Sequence, residues 1–140
     1  MTFDEVSRVI KKGDIILLRK ELEAGLSPNL ANQYSWTLLM VAALEGNTSI
    51  GMLLIEAGSD MDSRNKFRET ALSLAANSGH LSFIKLLLTN GASLDCRPFG
   101  DSFESWLNWV AKYTASSPEQ AERIRQLFDD ESNLRTQTHR

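Results

Sequence analysis

Glycine spacing constrains the fold of this chain more than any other feature of its sequence. Two series of glycines each recur every 33 residues: Gly13, Gly46 and Gly79, and Gly25, Gly58 and Gly91. The same offset superimposes further positions of like character: Leu22 on Ile55 and Leu88, Thr37 on Thr70, Ala42-Ala43 on Ala75-Ala76, and Asn29 on Asp62 and Asp95. A fixed period of this length indicates a stack of repeated units, in which each unit buries the apolar face of its neighbour.

Each period predicts a helix, a sharp turn, a second helix and an extended arm. In the second copy the first helix is expected over Thr37–Leu44 and the second over Thr48–Ala57, where apolar residues recur every three or four positions. Gly46 and Gly58 are expected to end these helices, because a residue without a Cβ takes the left-handed conformation of a helix C-cap. The polar segment Ser59–Arg68 lacks helical periodicity and is expected to form a hairpin-like arm.

The segment "RETALSLAANSGHLSFIKLLLTNGASLD" (Arg68–Asp95) resembles an ankyrin repeat. The family pattern G-x-T-P-L-H-x-A-A-x-x-G-H, an apolar helix and then G-A-x-x-N/D is met at Thr70, Leu72, Leu74, Ala75, Ala76, Gly79, His80, Leu87, Leu88, Gly91, Ala92 and Asp95. The second copy meets it at Thr37, Leu39, Ala42, Ala43, Gly46, Leu54 and Gly58. Departures from the pattern fall at its proline (Leu38, Ala71), its histidine (Met40, Ser73) and its opening glycine (Ser35, Arg68), and are expected to weaken the turn before the helix.

This resemblance implies an all-α repeat fold, an ankyrin-like α-solenoid of about four helix-turn-helix units with hairpin-like arms and divergent caps. We expect a single domain over residues 1–130, made of an N-terminal cap unit (1–34), two repeats (35–67 and 68–100) and a divergent C-terminal cap unit (101–130). Residues 131–140 are polar and are expected to form a flexible tail.

The two ends of the stack depart from the period in different ways. Phe3–Lys12 aligns with the first helix of the next unit but is rich in charge, as a terminal cap with a wet outer face should be. In the fourth unit Trp106 and Trp109 are spaced as on one helix face, which predicts packing in the core and at the end of the stack. The last helix, Pro118–Asp129, matches the earlier second helices only after seven extra residues.

Composition excludes several classes of protein. The net charge of −3 gives no overall attraction to nucleic acid or to an anionic membrane, and no apolar run approaches the ~20 residues that span a bilayer. The acidic segment Met1–Glu5 is not typical of a secretory signal. The single cysteine, Cys96, excludes an internal disulfide. We therefore expect a cytoplasmic protein that is a monomer when free and binds neither nucleic acid nor membrane.

The titratable residues form no catalytic or metal-binding pattern, so we expect no enzyme, cofactor or metal. His80 stands where an ankyrin repeat begins its second helix, and the resemblance implies a structural role for it. Cys96 lies in an arm without a neighbouring Cys or His, which predicts an exposed, inert thiol. The close carboxylates of Asp60 and Asp62 are expected to accept hydrogen bonds from backbone N–H groups.

Ankyrin repeats contact their partners through variable positions of the arm and first helix, and the resemblance carries these positions onto this chain. The partner-binding residues so predicted are Gln33, Tyr34, Trp36, Leu44 and Glu45 in the second unit, Lys66, Phe67, Glu69, Asn77 and Ser78 in the third, and Phe99 and Ser102 in the fourth. Exposed aromatic residues on one face are typical of binding hot spots. An alternative stays open, in which Trp36 and Phe67 fold onto the neighbouring arm and fill gaps between repeats.

Cations cluster on the arms of this acidic chain, at Arg64, Lys66, Arg68 and Arg97. This basic edge is either a solvated face or the match of an acidic partner surface. The resemblance implies a module for protein–protein interaction, acting as an adaptor or scaffold. The alternative is a stoichiometric inhibitor, of the immunity or antitoxin type, that blocks a partner enzyme; slow dissociation would distinguish it.

Overall fold

The computed structural model describes residues 1–97, 102–114 and 117–138. These ranges contain eight helices: α1 (Phe3–Lys11), α2 (Ile15–Glu23), α3 (Leu38–Glu45), α4 (Thr48–Glu56), α5 (Ala71–Asn77), α6 (Leu81–Thr89), α7 (Phe103–Tyr113) and α8 (Pro118–Thr138). Over the same ranges the backbone forms no strand, and its single β-bridge joins Ala31 and Thr37 in antiparallel fashion. The predicted all-α repeat architecture is confirmed.

The helices form antiparallel pairs that stack in two layers. Consecutive helices pack as pairs, α1 with α2, α3 with α4, α5 with α6 and α7 with α8. In the first layer α3 packs between α1 and α5, and in the second layer α4 packs between α2 and α6, while α8 continues that layer on α6. Each unit therefore covers the apolar side of the next, as the period of the sequence predicts.

Small residues set how closely the helices of successive units approach each other within each layer. Ala42, Ala43, Ala75 and Ala76 are fully buried in the first layer. In the second layer a Cβ on Gly51 would lie 2.6 Å from a ring carbon of Phe83, so only glycine admits this approach of α4 to α6. The repeated Ala-Ala pairs and Gly51 thus leave room for the helix of the next unit.

Threonine caps begin the first-layer helices of the two central units. The hydroxyl of Thr37 accepts from the Met40 N–H at 3.2 Å, and that of Thr70 accepts from the Ser73 N–H at 3.1 Å. Ser73, which stands at the family's histidine position, also accepts from the Thr70 N–H at 2.9 Å and closes a capping box. Local hydrogen bonds thus hold the start of α5 even though the family's proline and histidine are absent there.

The C-terminal cap corrects two of our expectations. We expected a flexible tail from residue 131, but α8 is helical through Thr138, and residues 139 and 140 lie outside the described residues. The extension is held because Arg135 donates to the carbonyl oxygen of Leu88 in α6 at 3.0 Å and pairs with Glu131 at 3.0 Å. Trp106 is buried as expected, against Phe103 and Phe128, whereas Trp109 is 48% exposed, so the expectation of packing is wrong for it.

Candidate functional site

Two asparagines one period apart build the arms of the central units. Oδ1 of Asn32 accepts from the N–H groups of Tyr34 and Trp36 at 2.9 and 3.0 Å. Oδ1 of Asn65 accepts from the N–H groups of Phe67 and Glu69 at the same two distances. These bonds add to the backbone hydrogen bonds of the two turns, such as those from the Ser35 N–H to Asn32 and from the Arg68 N–H to Asn65, both at 3.0 Å, and hold each arm in one conformation.

The turn at the tip of each arm contains a non-glycine residue with positive φ. Ser35 has φ 62° and Arg68 has φ 65°, the left-handed region where the family pattern places glycine. An L-residue in this region costs roughly 1–2 kcal/mol, which the surrounding hydrogen bonds must offset. The paired bonds to Asn32 and Asn65 meet this need, since they bracket Ser35 and Arg68 on both sides.

Successive arms are also bonded to one another. The N–H of Lys66 donates to the carbonyl oxygen of Tyr34 at 2.9 Å. At the base of the arms, Oδ1 of Asn29 accepts from the Asp60 N–H at 2.8 Å, and Oδ1 of Asp62 accepts from the Ser93 N–H at 2.7 Å. The expected role of the acidic pair is confirmed, because Oδ1 of Asp60 accepts from the Asp62 N–H at 2.9 Å.

Arg64 joins the second arm to the third through carbonyl oxygens. Its Nη1 donates to the carbonyl oxygens of Arg68 and Arg97 at 2.6 and 2.9 Å, and its Nη2 donates to that of Asp95 at 3.0 Å. Together with the asparagine bonds, this guanidinium makes the arms one preorganised edge of the solenoid.

Two aromatic rings are displayed on this edge. Tyr34 is 49% exposed and Phe67 is 58% exposed, and their ring centroids lie 6.4 Å apart with an angle of 35° between the planes. The two residues belong to successive units, so the ring pair depends on stacking of the repeats. Trp36 is partly buried against the core, which agrees with the alternative that it fills a gap between repeats. Phe67 is exposed, which does not agree with that alternative.

The other predicted residues of the second and third units occupy several environments. Gln33, Glu45, Lys66 and Ser78 are exposed, and Leu44 is exposed in the last turn of α3. Glu69 is partly buried, and its carboxylate accepts from the Asn65 side chain at 3.1 Å. Oδ1 of Asn77 is buried without a hydrogen-bond partner among the described residues.

The fourth unit departs from the register that the period predicts. Phe99 lies outside the described residues. Ser102 is the N-cap of α7, since its hydroxyl accepts from the Ser105 N–H at 3.1 Å, and it thus takes the place of Thr37 and Thr70 one residue early. Counted from the N-cap, Trp109 takes the place of Leu44 in α3.

A second exposed aromatic pair lies on α7 and was missed from the sequence. The rings of Trp109 and Tyr113 lie 5.7 Å apart, and Nζ of Lys112 lies 5.2 Å from the centre of the Tyr113 ring. Counting positions from the N-cap of each first-layer helix, rather than by a constant period, would have placed Trp109 among the candidate contact residues.

His80 and Cys96 have structural environments. Nε2 of His80 lies 2.9 Å from the carbonyl oxygen of Leu44, which agrees with its expected structural role. Cys96 is only 1% exposed, so our expectation of an exposed thiol is wrong. Burial raises the pKa of this thiol to about 12, which keeps it protonated and unreactive at neutral pH.

The described residues form neither a metal-binding cluster nor a membrane-spanning helix. In the described ranges, no group of three or more His, Cys, Asp or Glu residues is placed to hold a metal ion. Among the helices described, none is long and apolar enough to cross a membrane.

Paired helices stacked at a constant interval, with bonded arms along one edge, define a solenoid of helical repeats that offers an extended recognition surface. A family model for ankyrin repeats, in three copies, matches residues 7–98, and the chain belongs to the ankyrin-repeat family. Ankyrin repeats are protein-binding modules and are typically not catalytic. None of the curated proteins matches the chain significantly.

Proposed function

We propose that this protein binds a partner protein through its arms and first-layer helices and acts as an adaptor or scaffold. The observation that carries the proposal is the exposed ring pair of Tyr34 and Phe67 on arms that are bonded internally and to each other. Large rings that remain in water are unfavourable for an isolated chain and favourable once a partner covers them.

Preorganisation of the arms supports this function energetically. A surface that is already ordered loses little conformational entropy on binding, so more of the contact energy appears as affinity. The bonds that Asn32 and Asn65 make to the arm backbone supply that order. Aromatic anchors on such a surface typically contribute about 2 kcal/mol or more each when they enter a pocket of the partner.

The contact surface is expected to continue from the arms onto the helices. Leu44 on α3 and Trp109 on α7 are exposed at equivalent distances from their N-caps, and Tyr113 lies against Trp109. We propose Leu44, Trp109 and Tyr113 as additional contacts alongside the ring pair.

Rigidity of the arms also favours the second function, a stoichiometric inhibitor of the immunity or antitoxin type. Such inhibitors need very slow dissociation, and rigid surfaces lower the cost of a tight complex. An adaptor and an inhibitor would use the same surface and differ in the lifetime of the complex.

Affinity capture from native cell extract tests the proposal, with the variant Tyr34→Ala/Phe67→Ala compared with Ile16→Ala/Leu134→Ala. All four side chains are exposed, but Ile16 and Leu134 lie on the second-layer helices α2 and α8. The arm variant should lose a partner that the native chain and the control variant retain, with little change in melting temperature. Retention of every captured protein by the arm variant would refute the proposed surface, and the dissociation rate of the complex would separate inhibitor from adaptor.

A further inference from the structure

Carboxylates of the arms are engaged in internal hydrogen bonds. Asp60 and Asp62 accept from backbone N–H groups, and Glu69 accepts from the amide of Asn65. Asp95 pairs with Arg97 at 3.0 Å, and this pairing holds the pKa of the Asp95 carboxyl below its ordinary value. Donors within the chain therefore occupy oxygens of all four carboxylates, and Asp95 is also paired with a cation.

The cations at the tip of the second arm form no ion pairs within the described part of the chain. Lys66 and Arg68 are exposed on either side of Phe67, and neither forms an ion pair within the part of the chain that the structure describes. Arg64 on the same arm is also exposed, and its hydrogen bonds go to carbonyl oxygens. Exposed cations thus flank Phe67, one member of the ring pair, along the second arm of a chain whose net charge is −3.

We infer that the partner presents to the arms an acidic segment, in which an apolar or aromatic side chain that packs on the Tyr34–Phe67 ring pair is flanked by carboxylates that reach Lys66 and Arg68. This inference rests on the proposed function and specifies the chemistry of the partner. Exposed cations beside an apolar contact attract and orient an acidic segment, and they disfavour a basic one.

A protein segment fits this edge better than single-stranded nucleic acid, although both carry negative charge. Binding of a nucleic acid backbone draws on a long basic groove, whereas here three exposed cations of one arm, Arg64, Lys66 and Arg68, stand on a chain of net negative charge. The two rings are also packed against each other rather than spaced as successive platforms for bases.

Selection from a phage library of random peptides about a dozen residues long provides the test, with the full chain immobilised. We expect the enriched peptides to be acidic and to contain a large apolar residue. Affinity for the most enriched peptide should fall about tenfold or more in Lys66→Glu/Arg68→Glu, and by less than about twofold in Arg19→Glu/Lys20→Glu, which makes the same change of charge on exposed residues of α2. Added salt should weaken binding to the native chain, because it screens exposed charges.

Several results would overturn the inference. They are the absence of enriched peptides, enrichment of basic or uncharged peptides, equal effects of the two charge variants, or tighter binding of an oligothymidine than of the acidic peptide. The proposed function is tested separately by Tyr34→Ala/Phe67→Ala. If this variant loses the captured partner while Lys66→Glu/Arg68→Glu retains it, the proposed function stands and the acidic segment is refuted.

Discussion

Nε2 of His80 lies 2.9 Å from the carbonyl oxygen of Leu44, so a side chain of the third unit holds the last turn of α3 in the second. The imidazole also covers Gly46, where a Cβ would lie 2.6 Å from the ring. Gln120 covers the next turn glycine one unit later, and its amide donates to the carbonyl oxygen of that glycine, Gly79, at 2.6 Å. In both places a side chain of one unit bonds a carbonyl group near the end of the first-layer helix of the preceding unit.

Replacement of His80 by Ala should destabilise the stack. The substitution removes the partner of a carbonyl group at the interface of two units, and a loss of about 1–2 kcal/mol in the free energy of unfolding is expected. His80→Gln should lose less, because Gln120 already makes this type of bond in the fourth unit. Urea denaturation followed by circular dichroism measures both variants, and an unchanged midpoint for His80→Ala would show that the bond does not stabilise the protein.

Gly58→Val should destabilise the protein through the backbone alone. Gly58 has φ 103°, and a Cβ built on it has no heavy atom within 4 Å, so strain and not collision sets the cost. Residues held in such a region cost of order 1–3 kcal/mol, and a β-branched side chain lies toward the upper end. Thermal unfolding of Gly58→Val and Gly58→Ala should place Ala between Val and the native chain. Native stability in the Val variant would contradict the assignment of Gly58 as a strained left-handed position after the C-cap of α4, Ala57.

Loss of Arg135 should release the end of α8. Arg135→Ala removes the charged donor to the carbonyl oxygen of Leu88 and the ion pair with Glu131. It also removes a positive charge that lies near the C-terminus of α6, where the helix dipole favours a cation. Amide hydrogen exchange should become faster over residues 131–138 and stay unchanged in α3 and α5. The matched control is Arg123→Ala on the same helix, whose exposed side chain forms no ion pair in the described ranges. Equal exchange in both variants would mean that Arg135 does not hold the extension.

The buried thiol of Cys96 should make stability fall at alkaline pH. Its pKa is raised from 9.0 to about 12 in the folded chain, so the folded state keeps the proton that the unfolded state loses. The contribution is therefore complete below pH 9 and is lost as pH rises toward 12, with a slope of up to about 1.4 kcal/mol per pH unit.

Cys96→Ala provides the control for this dependence. The variant loses the thiol but keeps every lysine and tyrosine, so the difference between the two stability curves isolates the titration of Cys96. The difference in stability between the two proteins should be constant up to about pH 9 and should shrink above it, because only the native chain has this thiol to deprotonate. Curves that stay parallel above pH 9 would show that the thiol is not protected by burial.

Much of the candidate site was predictable because arm residues recur with the period. Tyr34 and Phe67 were predicted by carrying the family's contact positions onto the chain, and both are exposed on the arms. The roles of Ser102 and Trp109 were predicted wrongly because α7 begins one residue earlier than a constant offset of 33 residues predicts. The N-cap, a local hydrogen bond, defines the register of α7 better than the period does.

The sequence by itself determined the repeat, the helix pairs of the two central units and the close approach of the first-layer helices. These features depend on short-range chemistry: hydroxyl caps at Thr37 and Thr70, glycines with positive φ, and alanines that leave room for a neighbour. Only the tertiary structure decided which large side chains reach water. Trp36 is partly covered, Cys96 is buried and Trp109 is exposed, because the burial of each side chain depends on atoms contributed by parts of the chain distant in sequence.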